Sequence, residues 1–584
     1  MRSSRRYSSA RCTVGLLAGM VWWGAFGADE YVERISSFET DAEAFLFAYD
    51  AGAKGWAKVT DKQSSHGTKS LELKFAVTEA EAGMSGAARL FRGLARSVGI
   101  FRKRDDEGKL AGLGHAKDAL PFDWTGMDAL VFDAYNPSEA PLELTLKVES
   151  GLYEWDPTSK LYRTTVALPA KKWTPVSLSP KAMGEDFHPA GVLSVRMTVP
   201  VKGTLYVDDV RFVASVPPAP ETKYIRLTWT RDPQTTQTIT WQSRGETGVV
   251  RLGRKGEATD STVSAKSIRN FAWGHGVLHE ATLTGLKPDT NYEYQVRSSD
   301  GAWTPRRTFR TAPAADDAEF TFLAGSDTKG TRDVMIKLLG VFEDDTPRFM
   351  IYAGDALHTG GLASQWDRWF QAVEPFASCV PIMQSVGNHE VGGDPNLLNF
   401  LSYNALPSDS GSEAYYSFDY GPVHFVCLDT ESRFYPEQVP WVEKDLSSTK
   451  KPWKVAYFHS PPFSSGTGHG SDEEARNALE PIFSKHHVNL VVSGDDHLYE
   501  RSKPVNLAKS RKAPVSSYKE GTCYVVSGGA GAGLYDARPG NWWTAVLKTK
   551  VHHLCRVKVN GTKSMTLEAV DLKGVVFDRV ALEN

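Results

Sequence analysis

The sequence predicts a multidomain protein in which two β-sandwich regions precede an α/β region. Its 584 residues exceed what a single hydrophobic core accommodates, so three or four domains are expected. Before about residue 312, short segments alternate apolar and polar residues, which is typical of half-buried strands. After about residue 314, apolar runs alternate with stretches of helical period, which indicates helices packed on sheets.

The composition excludes one class of partner. The chain carries 67 Lys and Arg residues against 70 Asp and Glu residues, and its formal net charge at pH 7 is -3. The sequence has no stripe of basic residues of the kind that binding to nucleic-acid phosphates requires. We therefore expect no DNA or RNA partner.

Residues 1–27 have the layout of a secretory signal peptide. Arginines are frequent within the first eleven residues, an apolar run follows over residues 12–26, and small residues flank Phe26 at a candidate cleavage point. This layout predicts export to the periplasm or the extracellular space. A retained membrane anchor is the alternative, but the run is short for a bilayer span and contains glycines, so we expect no stable anchor.

A first β-sandwich is expected over residues 29–215. Alternating segments at residues 70–75, 128–135, 142–148 and 203–212 predict its strands. The segments SSHGTKSLELKF and LYVDDVRF resemble parts of the jelly-roll carbohydrate-binding modules of secreted enzymes, and this resemblance implies a polysaccharide partner. The aromatic residues that could stack on sugar rings, or else simply fill the core, are Trp56, Tyr153, Trp155, Tyr162 and Trp173.

A second β-sandwich is expected over residues 223–312. The Pro-rich segment VPPAPE, residues 216–221, predicts an extended spacer before it. The segments TITWQS, GVVRLG and NYEYQVRS alternate again and predict strands. The simplest role for this region is that of a scaffold.

The α/β region, residues 314–584, contains five units in which a strand-like run ends in a polar loop. In the central unit, FMIYAGDALHTGG, residues 349–353 predict a buried parallel strand and Asp355 follows its end. Open α/β sheets bind ligands at the carboxyl ends of such strands. Helical stretches are expected at residues 332–342, 364–373 and 472–486.

The five loops carry the side chains that could bind metal. Each loop places Asp, Asn or His just after an apolar run. These residues are Asp327, Asp355, Asn388, His459, and Asp495 with His497. Carboxylate, amide and imidazole donors without thiolate suit Mn, Fe or Zn rather than a structural zinc–cysteine site. Surface loops with no shared role would not have this layout in common, so we expect a site for two divalent metal ions.

Motifs in these loops resemble those of the calcineurin-like metallophosphoesterases, and among them the purple acid phosphatases. GNHE is intact at residues 387–390, VAYFH at residues 455–459 fills the next block, and HLYER at residues 497–501 closes the series. Upstream, LTGLKPDTNYEYQV and FRTAP resemble the fibronectin type III-like domain that precedes the catalytic part of purple acid phosphatases. The resemblance implies a four-layer α/β sandwich of two packed sheets for the region from residue 314.

The resemblance also implies a role for each matching residue. Asp355 would bridge the two metal ions. Asp327 and His497 would bind one ion, and Asn388 and His459 would bind the other. In the family, a hydroxide activated by the metal pair attacks phosphorus.

Two further histidines match family residues that contact phosphate or protonate the leaving alkoxide. They are His389, inside GNHE, and His469, ten residues beyond His459. Proton transfer of this kind contributes about 10²–10⁴ in rate. Because His469 lies in the glycine-rich loop GTGHG, an ordinary exposed histidine is the alternative at that position.

Three positions depart from the family pattern. Lys329 stands where the wider superfamily has a histidine, His358 stands where purple acid phosphatases have a tyrosine, and Asp495 replaces the first histidine of GHxH. Either the site has decayed into a non-catalytic binding module, or the changes compensate for each other. We favour compensation because His358 and Asp495 are competent metal ligands. Lys329, His389 and His469 are then the candidate substrate-binding residues.

The sequence therefore predicts an exported dinuclear phosphatase that acts on phosphate monoesters. A phosphodiesterase with the same metals, and a glycan-binding protein with a vestigial hydrolase domain, are the alternatives. Lys329 and His469 favour a monoesterase, since cationic groups neutralise the extra charge of a monoester. With His358 in place of tyrosine we expect two divalent ions and no purple colour, because imidazole is neutral when it coordinates metal.

Four cysteines follow the predicted signal peptide. Cys427, Cys523 and Cys555 lie inside apolar strand-like runs, where buried free thiols are expected. The predicted compartment allows a disulfide, and together with Cys379 three pairings are open.

Overall fold

The fold is given by a computed structural model, which describes most of the chain from residue 127 onward and shorter segments before it. The residues described are 31–36, 57–65, 67, 70–75, 87–88, 124, 127–150, 160–187, 192–199, 203–214, 222–243, 245, 247–257, 261–269, 277–298, 301–329, 332–361, 363–392, 394, 396–432 and 435–582. The predicted signal peptide, the predicted spacer at 216–221 and the aromatic residues Trp56, Tyr153 and Trp155 lie outside them.

In the part of the chain before residue 215, the described residues form two antiparallel sheets. The strands are β1 (Tyr31–Ser36), β2 (Ala57–Thr60), β3 (Ser70–Phe75), β4 (Ala87–Ala88), β5 (Ala129–Tyr135), β6 (Leu142–Ser150), β7 (Lys160–Leu168), β8 (Trp173–Leu178), β9 (Val192–Thr198) and β10 (Gly203–Ala214). One sheet has the order β2-β3-β10-β5-β8 with β1 also paired to β10, and the other has the order β4-β9-β6-β7. Alternation along β6 buries Leu144, Leu146 and Val148 in the core of this unit.

Two of the aromatic candidates for sugar stacking are described, and both are half-buried. The Tyr162 ring meets Phe187 edge-on at a centroid distance of 5.3 Å. The Trp173 ring tilts against Tyr135 at 5.4 Å. These contacts favour a packing role for both residues.

Between residues 222 and 311, the described residues form two four-stranded antiparallel sheets. The strands are β11 (Lys223–Thr228), β12 (Gln237–Ser243), β13 (Gly248–Arg254), β14 (Ser261–Ser264), β15 (Lys266–Arg269), β16 (Val277–Leu283), β17 (Asn291–Ser298) and β18 (Arg307–Arg310). Their orders are β11-β12-β16-β15 and β14-β13-β17-β18. The Trp229 ring lies 5.4 Å from that of Phe349, and Tyr294 Oη donates to the carbonyl oxygen of Ser378 at 2.6 Å. This unit is therefore anchored directly on the region that follows it.

From residue 319 onward, strands alternate with helices. The strands are β19 (Glu319–Gly325), β20 (Met350–Tyr352), β21 (Ile382–Gln384), β22 (Tyr416–Tyr420), β23 (Val423–Cys427), β24 (Trp453–Tyr457), β25 (Leu490–Ser493), β26 (Tyr499–Ser502), β27 (Cys523–Ser527), β28 (Thr544–Lys548), β29 (His553–Asn560), β30 (Ser564–Asp571) and β31 (Val576–Leu582). The helices are α1 (Arg332–Val341), α2 (Ala363–Ala377), α3 (Asn388–Val391), α4 (Leu398–Tyr403), α5 (Tyr435–Ser448) and α6 (Glu473–His486). Short 3-10 helices lie at Pro180–Met183 and Glu343–Asp345.

Two mixed sheets pack face to face in this region. Their orders are β21-β20-β19-β29-β30-β31 and β22-β23-β24-β25-β27-β26-β28. Phe322 of the first sheet meets Phe425 of the second edge-on, with ring centroids 5.2 Å apart. Helices α1 and α2 share the core of the first sheet, whereas α5 and α6 pack on the outer face of the second. The layers therefore run helices, sheet, sheet, helices.

The local predictions for this region agree with the observed elements. The predicted helices at residues 332–342, 364–373 and 472–486 correspond to α1, α2 and α6, and the predicted strand at residues 349–353 corresponds to β20. Helix α6 begins after Asp472, whose carboxylate accepts the N–H of Ala475 at 2.9 Å as an N-cap.

The prediction about the cysteines can also be compared with the structure. Buried free thiols are confirmed at Cys427, Cys523 and Cys555, while Cys379 is free and half-buried. Among the helices that the structure describes, none is both long and apolar enough to cross a bilayer.

Candidate metal centre

Five loops meet at the carboxyl-terminal edges of the two packed sheets. Asp327 follows β19, Asp355 follows β20, Asn388 begins α3 after β21, His459 follows β24, and Asp495 and His497 follow β25. Asp327, Asp355 and Asp495 adopt left-handed backbone, with φ of 67°, 57° and 65°. That conformation costs a non-glycine residue about 1–2 kcal/mol. Its repetition in three of the five loops indicates that the turns are held in place by what surrounds them.

Asp355 lies at the centre of the cluster and is fully buried. Its Oδ1 lies 3.3 Å from His459 Nε2 and accepts the backbone N–H of His389 at 3.0 Å. Its Oδ2 lies 3.0 Å from Lys329 Nζ. Although burial opposes ionisation, the neighbouring His459, His389 and Lys329 hold the pKa of Asp355 well below its usual range. A carboxylate is therefore available to two sides of the cluster.

Asp327 and His497 face each other on one side of Asp355. His497 Nδ1 donates to the carbonyl oxygen of Gly533 at 2.6 Å, which orients the ring with Nε2 toward Asp327. That Nε2 lies 3.4 Å from Asp327 Oδ1. Both atoms are buried, and neither has a hydrogen-bond partner among the described residues. A metal ion between these two buried atoms would satisfy both of them.

Asn388, His459 and Asp495 meet on the other side of Asp355. His459 Nδ1 donates to the carbonyl oxygen of Ala353 at 2.8 Å, and its Nε2 lies 3.1 Å from Asn388 Oδ1 and 3.5 Å from Asp495 Oδ1. The amide oxygen of Asn388 also lies 3.2 Å from both carboxylate oxygens of Asp355. An amide nitrogen in this place would donate to all three neighbours, whereas the oxygen needs a cation between them.

This arrangement of donors fits divalent metal ions. Asp327, Asp355 and His459 each offer one ligand atom, and these atoms all lie within 4.8 Å of one another. An amide oxygen and a second imidazole converge on the same space, and Asp495 adds a third carboxylate. Carboxylate and amide oxygens with imidazole nitrogens suit Mn, Fe or Zn. The carboxylates outnumber the cationic side chains here, so bound cations would also relieve their repulsion.

Lys329, His358 and His389 border the cluster. The pKa of Lys329 is raised, because the attraction of the Asp355 and Asp327 carboxylates outweighs the opposing effect of burial. His389 Nε2 lies 3.9 Å from Asp355 Oδ2, while its Nδ1 donates to the carbonyl oxygen of His358 at 2.5 Å. The two histidine rings pack edge-on with centroids 5.1 Å apart. Burial lowers the pKa of both histidines.

His469 reaches the cluster from the loop between β24 and α6. Its Nε2 lies 3.5 Å from Asp495 Oδ1, and 41% of its side chain is exposed to solvent. The ring therefore lies between the cluster and the solvent. All the residues that the sequence predicts for the site therefore lie at this edge, with His358 reaching it beside His389.

Sequence reasoning missed Glu390, although it is the last residue of GNHE. Its buried carboxylate accepts the N–H of Asp355 at 2.7 Å, of Ala356 at 2.9 Å and of Gly387 at 2.8 Å. Burial and the Asp355 carboxylate raise the pKa of Glu390 to about 8, against the opposing effect of the N–H donors. Glu390 therefore ties the Asp355 loop to the Asn388 loop.

Gly387 allows this close approach of the two loops. A Cβ atom at Gly387 would lie 2.3 Å from Asp355 Oδ1 and 2.4 Å from its backbone nitrogen. No side chain fits in that space, so the glycine of GNHE is required by packing.

Two more residues were not identified from the sequence, Asp496 and Tyr535. Asp496 is buried between Asp495 and His497. The Tyr535 ring stacks on His497 with centroids 4.0 Å apart and planes 17° apart. Tyr535 lies 38 residues beyond His497 in a glycine-rich loop after β27, so no local pattern in the sequence connects the two.

Comparison with known protein families gives two matches. Residues 222–311 match the model of the purple acid phosphatase N-terminal domain, and residues 320–499 match that of the calcineurin-like phosphoesterases. Among curated proteins, purple acid phosphatase 23 of Arabidopsis thaliana is 30% identical over 309 residues, which cover 46% of this chain and 67% of that protein. Purple acid phosphatase 21 of the same organism is 30% identical over 284 residues. The match covers 46% of this chain and 63% of that phosphatase's length.

A solved structure shows the same fold. Purple acid phosphatase PPD1 from seeds of yellow lupin, Lupinus luteus, aligns with a TM-score of 0.58 over 79% of this chain and 94% of that one. The sequence identity is 19%, so this likeness concerns the fold alone.

Proposed function

Because the chain belongs to the purple acid phosphatase family of calcineurin-like metallophosphoesterases, we propose that it is a metal-dependent phosphatase that hydrolyses phosphate monoesters. The observation that carries the proposal is the set of carboxylate, amide and imidazole donors around the buried Asp355. Purple acid phosphatases use a dinuclear metal centre, and this set of donors can hold two ions that share one carboxylate.

The ligands fall into two groups around Asp355. Asp327 and His497 would hold one ion, with His358 as the additional imidazole. Asn388 and His459 would hold the other, with Asp495 in the place of the family's histidine. Two divalent ions in these places would supply an activated water molecule and neutralise charge on the phosphate oxygens.

The residues around the metal ligands orient the substrate and move a proton. Lys329 Nζ, 3.0 Å from Asp355 Oδ2, places a positive charge beside the space where a phosphate group would bind. The bond from His389 Nδ1 to the carbonyl oxygen of His358 fixes that ring with Nε2 toward the cluster. His469, at the solvent boundary, is placed to give a proton from its ring to the leaving alkoxide oxygen.

The cationic groups support the proposed preference for monoesters. A phosphate monoester dianion carries one more negative charge than a diester, and Lys329 with His469 can neutralise that charge. In a diester, the second ester group would stand in place of the charged oxygen, and the cationic side chains would have no extra charge to neutralise. Lys329 is only 10% exposed, so its charge acts where solvent screens weakly.

The finer assignments outside the metal centre belong to the same proposal. We propose an exported protein with four parts: a signal peptide at 1–27, a jelly-roll unit at 29–215, a fibronectin type III-like unit at 223–312 and the catalytic unit at 314–584. The two-sheet form of both β-rich units supports their assignment as sandwiches. A polysaccharide is the proposed partner of the first unit, and retention of the purified chain on insoluble glycans is its test.

The decisive experiment for the activity is turnover of two chromogenic esters. The full chain, with its metal content measured, should hydrolyse p-nitrophenyl phosphate faster than the bis(p-nitrophenyl) ester. A preference for the bis ester would replace the monoesterase by a phosphodiesterase. A protein that carries both metals but turns over neither ester would contradict the catalytic proposal.

A further inference from the structure

The segment that carries His469 is held by one buried carboxylate. Asp496 is fully buried, and its carboxylate accepts hydrogen bonds from three groups of residues 464–470. Ser464 Oγ donates to Oδ2, the N–H of His469 donates to Oδ1 at 2.9 Å, and the N–H of Gly470 donates to Oδ2 at 2.9 Å. These bonds cross 26 to 32 residues of sequence, so Asp496 fixes the segment to the loop that carries the metal ligands.

The segment also touches Asp496 with its backbone. A Cβ atom at Gly466 would lie 2.3 Å from the Asp496 carboxylate carbon, so the chain passes directly over this side chain. The N–H of Gly466 donates to Ser464 Oγ at 3.0 Å, which orients the hydroxyl that binds Asp496. Any side chain at position 466 would lift the segment from its anchor.

The other side of the segment rests on the loop of Tyr535. A Cβ atom at Gly468 would lie 2.3 Å from the Tyr535 ring, which itself stacks on His497. The N–H of Thr467 donates to the carbonyl oxygen of Asp536 at 3.0 Å. Contacts on two sides therefore determine where His469 lies, although its own ring is partly exposed.

We infer that Asp496 is a positioning residue of the phosphatase reaction, which acts by holding residues 464–470 so that His469 stays over the metal centre. Because Asp496 is fully buried, it acts through His469 and not on the substrate itself. The carboxylate suits this task because its two oxygens accept three hydrogen bonds from the segment at once. Asp496 lies between Asp495 and His497, so it fixes the segment of the proposed proton donor to the loop of these two proposed ligands.

This inference rests on the proposed function for its effect on catalysis, but not for its effect on the loop. Hydrogen exchange of peptides covering residues 464–470 measures the anchoring directly, whether or not the chain turns over substrate. Asp496→Ala should raise the exchange of the His469 and Gly470 amides at least tenfold. Asp536→Ala is the matched control, because it removes a nearby exposed carboxylate but keeps the backbone carbonyl that Thr467 contacts. Unchanged exchange in Asp496→Ala would overturn the inference.

A double-mutant cycle tests whether the anchoring matters for catalysis. His469→Ala should lower kcat about 100-fold, within the usual range for a lost proton donor. Asp496→Ala should lower kcat about tenfold with little change in KM and with metal content still at two ions per chain. In the His469→Ala background, Asp496→Ala should change kcat less than twofold, since coupled residues are not additive. The milder Asp496→Asn should give a smaller loss and serves if the alanine variant does not fold.

The outcomes separate the two claims. Additive losses in the cycle, or loss of metal in Asp496→Ala, would overturn the positioning role. If the metal-loaded wild-type chain has no phosphatase activity, the proposed function fails. The exchange measurement then decides on its own whether Asp496 holds the segment.

Discussion

The metal centre and the sandwich of residues 223–312 bury histidine in opposite ways. In the sandwich, His279 is fully buried, and its two ring nitrogens each pair with a serine hydroxyl, Ser267 and Ser243, at 2.8 Å. At the metal centre, one nitrogen of His497 is paired. Its other nitrogen faces Asp327 Oδ1, and neither of these atoms has a hydrogen-bond partner among the described residues. The scaffold satisfies its histidine with neutral groups, whereas the donors at the edge of the sheets are suited to bind cations.

The same comparison holds for the charges. Burial lowers the pKa of His279 to about 4, so this ring stays neutral in its apolar surroundings. Three carboxylates surround His459 instead, and despite burial Asp355 raises the pKa of that ring well above its usual range. The negative charge that would attract a proton there equally attracts a metal ion. Substitutions at the edge of the sheets should therefore affect activity, and substitutions in the sandwich should affect stability.

Replacing Asp355 should produce the largest effect on activity. Asp355→Asn keeps the shape of the side chain but removes the negative charge that both groups of ligands share, so kcat should fall at least 1,000-fold and both metals should be lost. Metal analysis and p-nitrophenyl phosphate turnover check this. Asp317→Asn, an exposed carboxylate just before β19, is the control. Near wild-type turnover in Asp355→Asn would end the dinuclear interpretation.

Replacing His358 should separate the two halves of the site. If His358 supplies the imidazole that Lys329 cannot, His358→Ala should lower the metal content from about two ions per chain towards one. Activity should fall with it by about 100-fold. His486→Ala in α6, which pairs with Glu443 away from the site, should leave both values unchanged. Full metal content and activity in His358→Ala would make His358 an ordinary loop histidine.

Replacing Lys329 should affect the substrate rather than the metals. Lys329→Ala should keep both ions and raise KM for p-nitrophenyl phosphate about tenfold, because the ammonium beside Asp355 would pair with the monoester dianion. Turnover of the bis ester should change less. Lys337→Ala, an exposed lysine on α1, is the matched control. A lost metal ion in Lys329→Ala, with KM unchanged, would contradict this role.

Replacing His279 in the sandwich of residues 223–312 should change the pH dependence of stability and leave activity unchanged. The pKa of His279 lies near 4 in the folded chain against 6.5 for an ordinary histidine. Between these two pH values, the His279 imidazole is protonated in the unfolded chain but not in the folded chain. Stability therefore falls as pH drops from 6.5 to 4, by about 3 kcal/mol in total. The side chain in His279→Gln cannot titrate, so the free energy of unfolding of this variant should depend less on pH. Urea unfolding measures this, with hydrogen exchange in peptides of residues 237–283 as the signal for this unit. Turnover should be unchanged. An unaltered slope would contradict the assignment.

What the sequence could predict follows from the geometry of parallel strands. Asp355, Asn388 and His459 each come directly after a strand-like run, and the carboxyl ends of such strands meet at one edge. Local pattern therefore sufficed to bring these residues together. The helix predicted at residues 472–486, which is observed as α6, depended equally on local pattern.

What the sequence could not predict depends on segments that approach from far along the chain. Asp496 lies between two proposed ligands in the sequence. Its hydrogen-bond partners lie in residues 464–470, which contact it only in the folded chain. Tyr535 reaches His497 through the path of the glycine-rich loop after β27. The bond from His389 to the backbone of His358 likewise follows from tertiary packing and not from GNHE itself. No periodic pattern in the sequence predicts such contacts.

The central claim is that the edge of the two sheets holds two divalent ions. Elemental analysis of the purified full chain, together with its visible absorption spectrum, tests this most directly. We predict about two ions per chain among Mn, Fe and Zn, and no visible charge-transfer band, because His358 stands where a tyrosinate would bind ferric iron. A purple protein, or a chain that retains no metal when supplied with these ions, would contradict the account.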